Sequence, residues 1–413
     1  MNNSNKLFFW LAIPAFMTLL SVCDRHGNRY EAGTFAYDSA FMAQYQDVIV
    51  LNGPDRKSRL LLCPAYQGRV MTSTADGAQG ASYGWINYRH IAAGEITPHI
   101  NPYGGEDRFW MGPEGGQFSI FFAPGAEFSY DNWQTPASLD TEPFLLLDQS
   151  ADRATFGRDI RLINYSGTEL SLQVRREIRV LDRRETETLF GLEIPAGLRL
   201  VSFQSDNTVR NTGAEAWTPQ DGAPSIWILG MFRPSPTTTV IIPYREGTVA
   251  DLGPVVNDAY FGVVPADKLR IEPGLIFFKA DGEYRSKIGV APPRALALAA
   301  SYDAEMGLLT LVHFSLPDTP VNYVNSMWEI QEDPFSGDVV NSYNDGPVNG
   351  AQMGPFYELE SSSPAAFLEP GSSLRHVHCT LHLHGDKNLL SAITHQLFAV
   401  SLEHIETVFA MSD

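Results

Sequence analysis

Cysteine is scarce in this chain, with three in 413 residues, and that excludes a disulfide framework as the source of its stability. Positive charge is short as well: 29 Lys+Arg against 48 Asp+Glu leave a net charge of −19. No basic run or stripe is present. Phosphate backbones are held by clustered cations, so nucleic acid is excluded as a partner. The sequence has no Gly-x-Ser-x-Gly elbow, no P-loop and no dinucleotide fingerprint, which removes the main support for serine-hydrolase, nucleotide and dehydrogenase chemistry. No cofactor is expected. No Pro/Ser-rich linker divides the chain, no propeller-length repeat recurs, and helical segments do not alternate with the strands.

The long hydrophobic run stands at the start. After Lys6 comes "LFFWLAIPAFMTLLSVC", of signal-peptide length and short for a membrane span. It ends at Cys23 in "LLSVC", which resembles a bacterial lipobox. Residues 1–22 therefore read as a signal peptide, Cys23 as a lipidation site, and the protein as an extracytoplasmic, membrane-anchored lipoprotein. Cys23→Ser is expected to release it to the soluble fraction, because each buried CH₂ of an acyl chain contributes about 0.8 kcal/mol. Residues 23–40 are polar and patternless, as a flexible tether would be. Cys63 and Cys379 read as buried apolar residues, although export would permit a bridge between them.

From Phe41 onward, short runs rich in Val, Ile, Leu, Phe and Tyr recur between Gly, Pro, Asn and Asp clusters, including "QFSIFFAPG", "SIWILGMF", "TTVIIPY" and "LLTLVHFSLP". Such spacing predicts an all-β, large antiparallel sandwich, and 41–413 reads as a single, monomeric domain. In "GTELSLQVRREIRVL", Leu170, Leu172, Val174, Arg176, Ile178 and Val180 share one face. Residues 387–410, "KNLLSAITHQLFAVSLEHIETVFA", show three- and four-residue apolar spacing and predict one or two C-terminal helices packed outside.

Three clusters carry candidate chemistry. In "NPYGGEDRFWMGPEGGQFSIFF" the glycines permit unusual backbone angles. Glu106, Asp107, Arg108 and Glu114 suit sugar hydroxyls, and Trp110 offers a flat face for a ring. In "YELESSSPA", Glu358 and Glu360 point to one side of a strand, where one carboxyl could have a raised pKa. In "RHVHCTLHLHG", His376, His378, Thr380, His382 and His384 share a face; the reading is a solvated or partly paired face, with no matching constellation to make it a metal site. Arg285 and Lys287 share a strand face and could neutralise a uronic acid carboxylate. The loop around Trp328, Glu329, Asp338, Asn341, Asn344 and Asp345 is rich in hydroxyl-binding groups. No metal is assigned.

The order of "CPAYQGRVMTS", "GGEDRFWMGPE", "VRNTG" and "ELESSSPAAFLEPGSSLRH" resembles the galactose mutarotase-like supersandwich family, with cues from Cys63 to His376 that span most of the mature chain. That resemblance implies a β-supersandwich, a sugar or glycan ligand and, in aldose epimerases, a late Glu base with a His acid. Glu360 matches the late base. Tyr103 stands where one family His precedes the Gly-Gly pair, and "APSIWILGMF" has no His where another belongs. Three readings follow: an epimerase-like enzyme with Glu360 or Glu358 as base and His99 or His378 as acid; a glycan-binding lipoprotein that lost the acid; or a lyase or glycosidase relative using Tyr103 or a His with a carboxylate. Little or no mutarotation of free glucose or galactose is expected.

Overall fold

The computed structural model describes residues 21–23, 29–319 and 321–410. Strands make up 37% and helices 15%, arranged as two large antiparallel sheets. The larger runs in the order Leu269–Glu272, Leu275–Lys279, Thr239–Pro243, Leu298–Asp303, Leu308–Phe314, Ser373–His384, Arg199–Asn211, Glu169–Leu181, Arg153–Ile163, Leu145–Gln149. The smaller runs Ser286–Val290, Val340–Asn344, Tyr357–Ser362, Ser225–Phe232, Arg108–Gly112. A three-stranded sheet of Ile49–Asn52, Arg59–Cys63 and Arg69–Thr74 packs at one side.

Period-two alternation decides what each sheet buries. Ile288, Val290, Val340, Tyr357 and Leu359 of the smaller sheet pack against Val240, Ile242, Ile276, Phe278 and Val312 of the larger one. Leu170 to Val180 alternate inward as expected, with Arg176 buried in register among them. The larger sheet is covered on its outer face as well. The helices Lys387–Phe398 and Leu402–Thr407 bring Leu390, Ile393, Phe398, Leu402 and Ile405 onto Leu309, Leu311, Leu381 and Leu383. The result is three layers, helices on a ten-stranded sheet on a five-stranded sheet, and the C-terminal helices lie where the apolar spacing put them.

The start of the folded body needs correction. Residues 35–40 belong to the helix Phe35–Tyr45, capped by the Thr34 side chain on Tyr37 N–H, rather than to a flexible tether. Asp38, polar in the sequence, is fully buried, where it accepts from Ser82 and Tyr88 and faces Arg233 at 3.3 Å. Its burial is compensated by an arginine 195 residues away, which composition cannot reveal. Upstream, the backbone of Ser21–Cys23 pairs with Arg29–Glu31. The signal peptide expected over 1–22 lies almost entirely outside the described residues, and nothing described bears on lipidation at Cys23. Cys63 and Cys379 are buried and unbridged.

Candidate active site

The second face of the five-stranded sheet is polar. Cross-strand register puts Arg108 and Trp110 beside Leu229 and Trp227, Glu360 beside Leu229 and Asn341, Glu358 beside Tyr343, and Tyr343 beside Lys287. Directly opposed residues share a face, so these side chains form one floor. Loops roof it. Glu114 accepts from Trp328 Nε1 at 3.2 Å, Gln117 and Gln331 exchange hydrogen bonds at 2.9 and 3.0 Å, and Phe121 and Trp133 stack above Trp110. The roof lies tight against its neighbours: a Cβ on Gly115 would fall 2.3 Å from the Met327 carbonyl oxygen, so the second Gly-Gly pair permits loop-on-loop contact.

Charges on the floor are matched in pairs. Arg108 faces Glu358 at 3.3 Å and lies 4.0 Å over the Trp110 ring. Lys287 donates to Glu360 Oε2 at 2.9 Å, and Trp227 Nε1 donates to the same oxygen at 2.9 Å. Lys287 also lies 4.7 Å over the Trp227 ring. Burial raises the Glu358 carboxyl to about 8 against the pull of Arg108, and Glu360's nearby charge adds to the rise. Burial likewise raises Glu114 and Asp338. The Lys287 ammonium is raised: its burial pulls it down, but the charges of Glu360 and Glu114 outweigh that. Two carboxyls on one strand thus have different partners, Arg108 for Glu358 and Lys287 with Trp227 for Glu360.

Among the described residues, four buried polar atoms at the floor and its rim lack a partner: Glu360 Oε1, Arg108 Nε, Ser225 Oγ and Arg285 Nε. Buried polar atoms are ordinarily satisfied. Ser225 opens on a cavity of about 20 Å³, also lined by Trp227, Lys287, Tyr260, Asp338 and Asn341, room for about one water. It is small because Tyr260, from the 253–264 loop, enters it and donates to Asp338 at 2.6 Å; Asn257 donates to the same oxygen at 3.0 Å.

Several residues expected in a sugar site are elsewhere. Glu106 is buried between the sheets, accepting from Ser73 at 2.6 and 2.8 Å and lying 3.0 Å from His382 Nε2. Asp107 is a buried ion pair with Arg176 at 2.5 Å. Tyr103 stacks on Tyr66 at 3.9 Å in a satellite core with Phe35 and Phe41, so it is a packing residue. Its Gly104 explains the first glycine pair: φ is +95° and a Cβ would fall 2.1 Å from the Trp85 carbonyl oxygen. His99 lies 2.6 Å from the Trp133 carbonyl and 2.8 Å from Gln134, and bonds to neither glutamate. Asn344 serves the loop by bonding Gly282, Asp281 and Tyr284, and Asp345 accepts from Tyr343 and Gly354.

Glu114, Arg285, Lys287, Trp328, Arg108 and Trp110 do gather around the floor. Trp110 is only 3% exposed, with Nε1 donating to the Leu139 carbonyl at 3.1 Å, so it is a wall rather than an open platform. The histidine row points inward, which corrects the solvated face. Ser361 joins His376 Nε2 and His378 Nδ1, each at 2.8 Å. Among the described residues no group of three His, Cys, Asp or Glu is placed to hold a metal. Ser225, Trp227 and Tyr260 were missed. Alternation in "SIWIL" puts Ser225 and Trp227 on one face, but nothing in the sequence around Tyr260 marks it.

A family model described as a family of unknown function (DUF6786) matches residues 33–409. No curated protein matches the chain in sequence. Among solved structures, the Slr1438 protein of Synechocystis sp. PCC 6803 is 13% identical, with a TM-score of 0.50 over 83% of this chain and 96% of that one. A candidate aldose 1-epimerase from Escherichia coli K12 is 12% identical, with a TM-score of 0.47 over 82% and 99%. A galactose mutarotase-like protein from Lactobacillus casei ATCC 334 is 11% identical, with a TM-score of 0.46 over 82% and 100%. At such identities the likeness is one of fold alone, and the large antiparallel sheets with short C-terminal helices are the β-sandwich that the sequence predicted.

Proposed function

The chain belongs to the DUF6786 family, and we propose that this member binds a sugar on the polar face of its five-stranded sheet. One observation carries the reading. Glu360 is fully buried, with Oε1 left without a partner and Oε2 fixed by Lys287 and Trp227, both of which line a small polar cavity. An ionised acceptor of that kind favours a hydroxyl donor, and a charge-assisted hydrogen bond contributes about 1.5–3 kcal/mol. Ligand pockets ordinarily measure about 300–1,000 Å³, far more than the cavity beside Tyr260. Binding therefore requires the 253–264 loop to swing out and withdraw the Tyr260 ring. The fold similarity to mutarotase-like proteins supports carbohydrate as the ligand class.

The pair of glutamates also favours a second reading, slow sugar isomerisation. Glu360 would take the anomeric hydroxyl proton while Glu358, held protonated by burial, gives its proton to the ring oxygen as the C1–O5 bond breaks. The absence of an imidazole bonded to either glutamate, among the described residues, supports the binding reading over the His-assisted reaction. Calorimetry with a panel of monosaccharides tests the first reading: Glu360→Gln and Lys287→Met should each weaken binding about tenfold or more. Unchanged affinity in both variants would place the ligand elsewhere. Polarimetry on the same proteins decides the second, since rapid mutarotation lost in Glu358→Gln would show turnover.

A further inference from the structure

Among the floor cations Arg108 and Lys287 each have a carboxylate partner. Arg285 does not. It lies two residues before Lys287 and immediately before the edge strand Ser286–Val290. Among the described residues its side chain makes no hydrogen bond and no ion pair, and its Nε is buried without a partner. The guanidinium carbon lies 4.1 Å over the Phe261 ring, and its charge pulls down Glu114 and Asp345 without pairing with either. Phe261 in turn meets Tyr343, a floor residue next to Glu358, with ring centroids 5.8 Å apart.

An arginine in this position is costly unless something completes it. Half-buried donors lose water, and a stack on Phe261 satisfies the guanidinium plane but none of its N–H groups. The ring does fix that plane. With the plane held, the five donors present an edge-on fork whose geometry fits a carboxylate through two parallel hydrogen bonds. Phe261 is 47% exposed, so the fork is held at the rim of the cleft by a ring that water also reaches.

We propose that Arg285 is the anion-recognition residue of this cleft and that the ligand is an acidic sugar, a uronate, whose carboxylate takes the Arg285 fork while its hydroxyls reach Glu360 Oε1 and Ser225. This rests on the sugar-binding reading and names the substrate class. A single unmatched cation suits a monoanionic planar carboxylate better than a phosphate dianion, which calls for more donors. Repulsion from the other acids is limited. Glu360 is opposed by Lys287, and burial favours the neutral form of Glu358, Glu114, Asp338 and Asp345. Because Arg285 and Phe261 belong to different elements, the same contact ties ligand recognition to the 253–264 loop that holds Tyr260 in the cavity.

The test is titration calorimetry on the full chain with matched pairs, galactose against galacturonate, glucose against glucuronate and mannose against mannuronate, together with galactose 6-phosphate. One uronate should bind at least tenfold more tightly than its neutral partner, and added salt should narrow the gap. Arg285→Gln should erase that gap by lowering uronate affinity at least tenfold more than neutral-sugar affinity, and Arg285→Lys should restore part of it. Equal affinity for neutral and acidic partners overturns the proposal, as does an equal loss for both in Arg285→Gln. Tighter binding of galactose 6-phosphate than of any uronate overturns the carboxylate assignment. If neutral sugars bind and uronates gain nothing, this inference fails alone; if no sugar binds, it falls together with the sugar-binding reading.

Discussion

At the scale of single residues, the inter-sheet layer is unusual for how much ionisable chemistry it buries. His376 and His378 are fully buried and share Ser361, and burial pushes them down to about 3 and about 4. A histidine near 6.5 in the unfolded chain then takes up a proton that the folded state refuses. Its contribution to stability is complete above pH 6.5 and is lost as pH falls from there toward the folded values. Between pH 7 and pH 5 this amounts to about 2 kcal/mol for His376. Buried carboxyls with raised values, Glu358 and Glu114 among them, act in the opposite direction, so the comparison has to be differential. Urea unfolding of wild type and His376→Gln at the two pH values should show the wild type losing about 2 kcal/mol more than the variant. Parallel pH dependences would mean that His376 takes up its proton in the folded protein.

At the scale of elements, close backbone approach rather than ligand contact accounts for the first glycine pair. Gly104 bridges to Ile86, and Gly105 N–H donates to the Trp85 carbonyl at 2.9 Å, so the segment before strand Arg108–Gly112 is stitched to the chain around Trp85. That stitching sets the register in which Arg108 and Trp110 reach the floor. Gly104→Ala adds a left-handed φ to a clash with backbone, which has no rotamer to escape into. It should destabilise the protein by about 1–3 kcal/mol or more and weaken sugar binding through displacement of Arg108. Thermal denaturation and calorimetry check it; a wild-type midpoint would show that the segment relaxes freely. The Arg176–Asp107 pair belongs to the same junction: Arg176 also donates to the Asp107 carbonyl at 2.8 Å and to Asn207 at 3.1 Å. It joins the strand Glu169–Leu181 of the large sheet to the entrance of a small-sheet strand.

At the scale of the whole molecule, the helix Phe35–Tyr45 belongs to the body. Phe35, Phe41 and Met42 complete a core with Leu61, Met71 and Tyr103, and Asp38 compensates Arg233 at the end of a floor strand. A chain starting at residue 33 should keep the thermal midpoint of the full chain within a few degrees. One starting at residue 47 should lose several kcal/mol, since it exposes that core, where each fully buried apolar side chain contributes about 1.5–3 kcal/mol, and takes Asp38 from Arg233. Equal midpoints for the two truncations would show that the helix is an appendage.

Local pattern settled a good deal by itself. Period-two alternation fixed which residues share a face, for Leu170 to Val180, for Glu358 with Glu360 and for the histidine row, because side-chain direction in a strand follows from the backbone alone. Spacing of three and four fixed the closing helices, and motif order pointed to the supersandwich. Only tertiary structure decided which face meets water. The strand Ser373–His384 lies between two layers, so both its faces are buried, and no local signal separates a solvent face from an interior one. Charge matching was also out of reach: Arg108 meets Glu358 from 250 residues away, Arg233 meets Asp38 from 195, and Arg176 meets Asp107 from 69. Coulomb energy depends on distance in space, and that distance is set by how two sheets stack. The sequence therefore named Glu106, Asp107, Glu358 and Glu360 alike, and the stacking of the sheets put the first two in the core and the last two on the polar face of the five-stranded sheet.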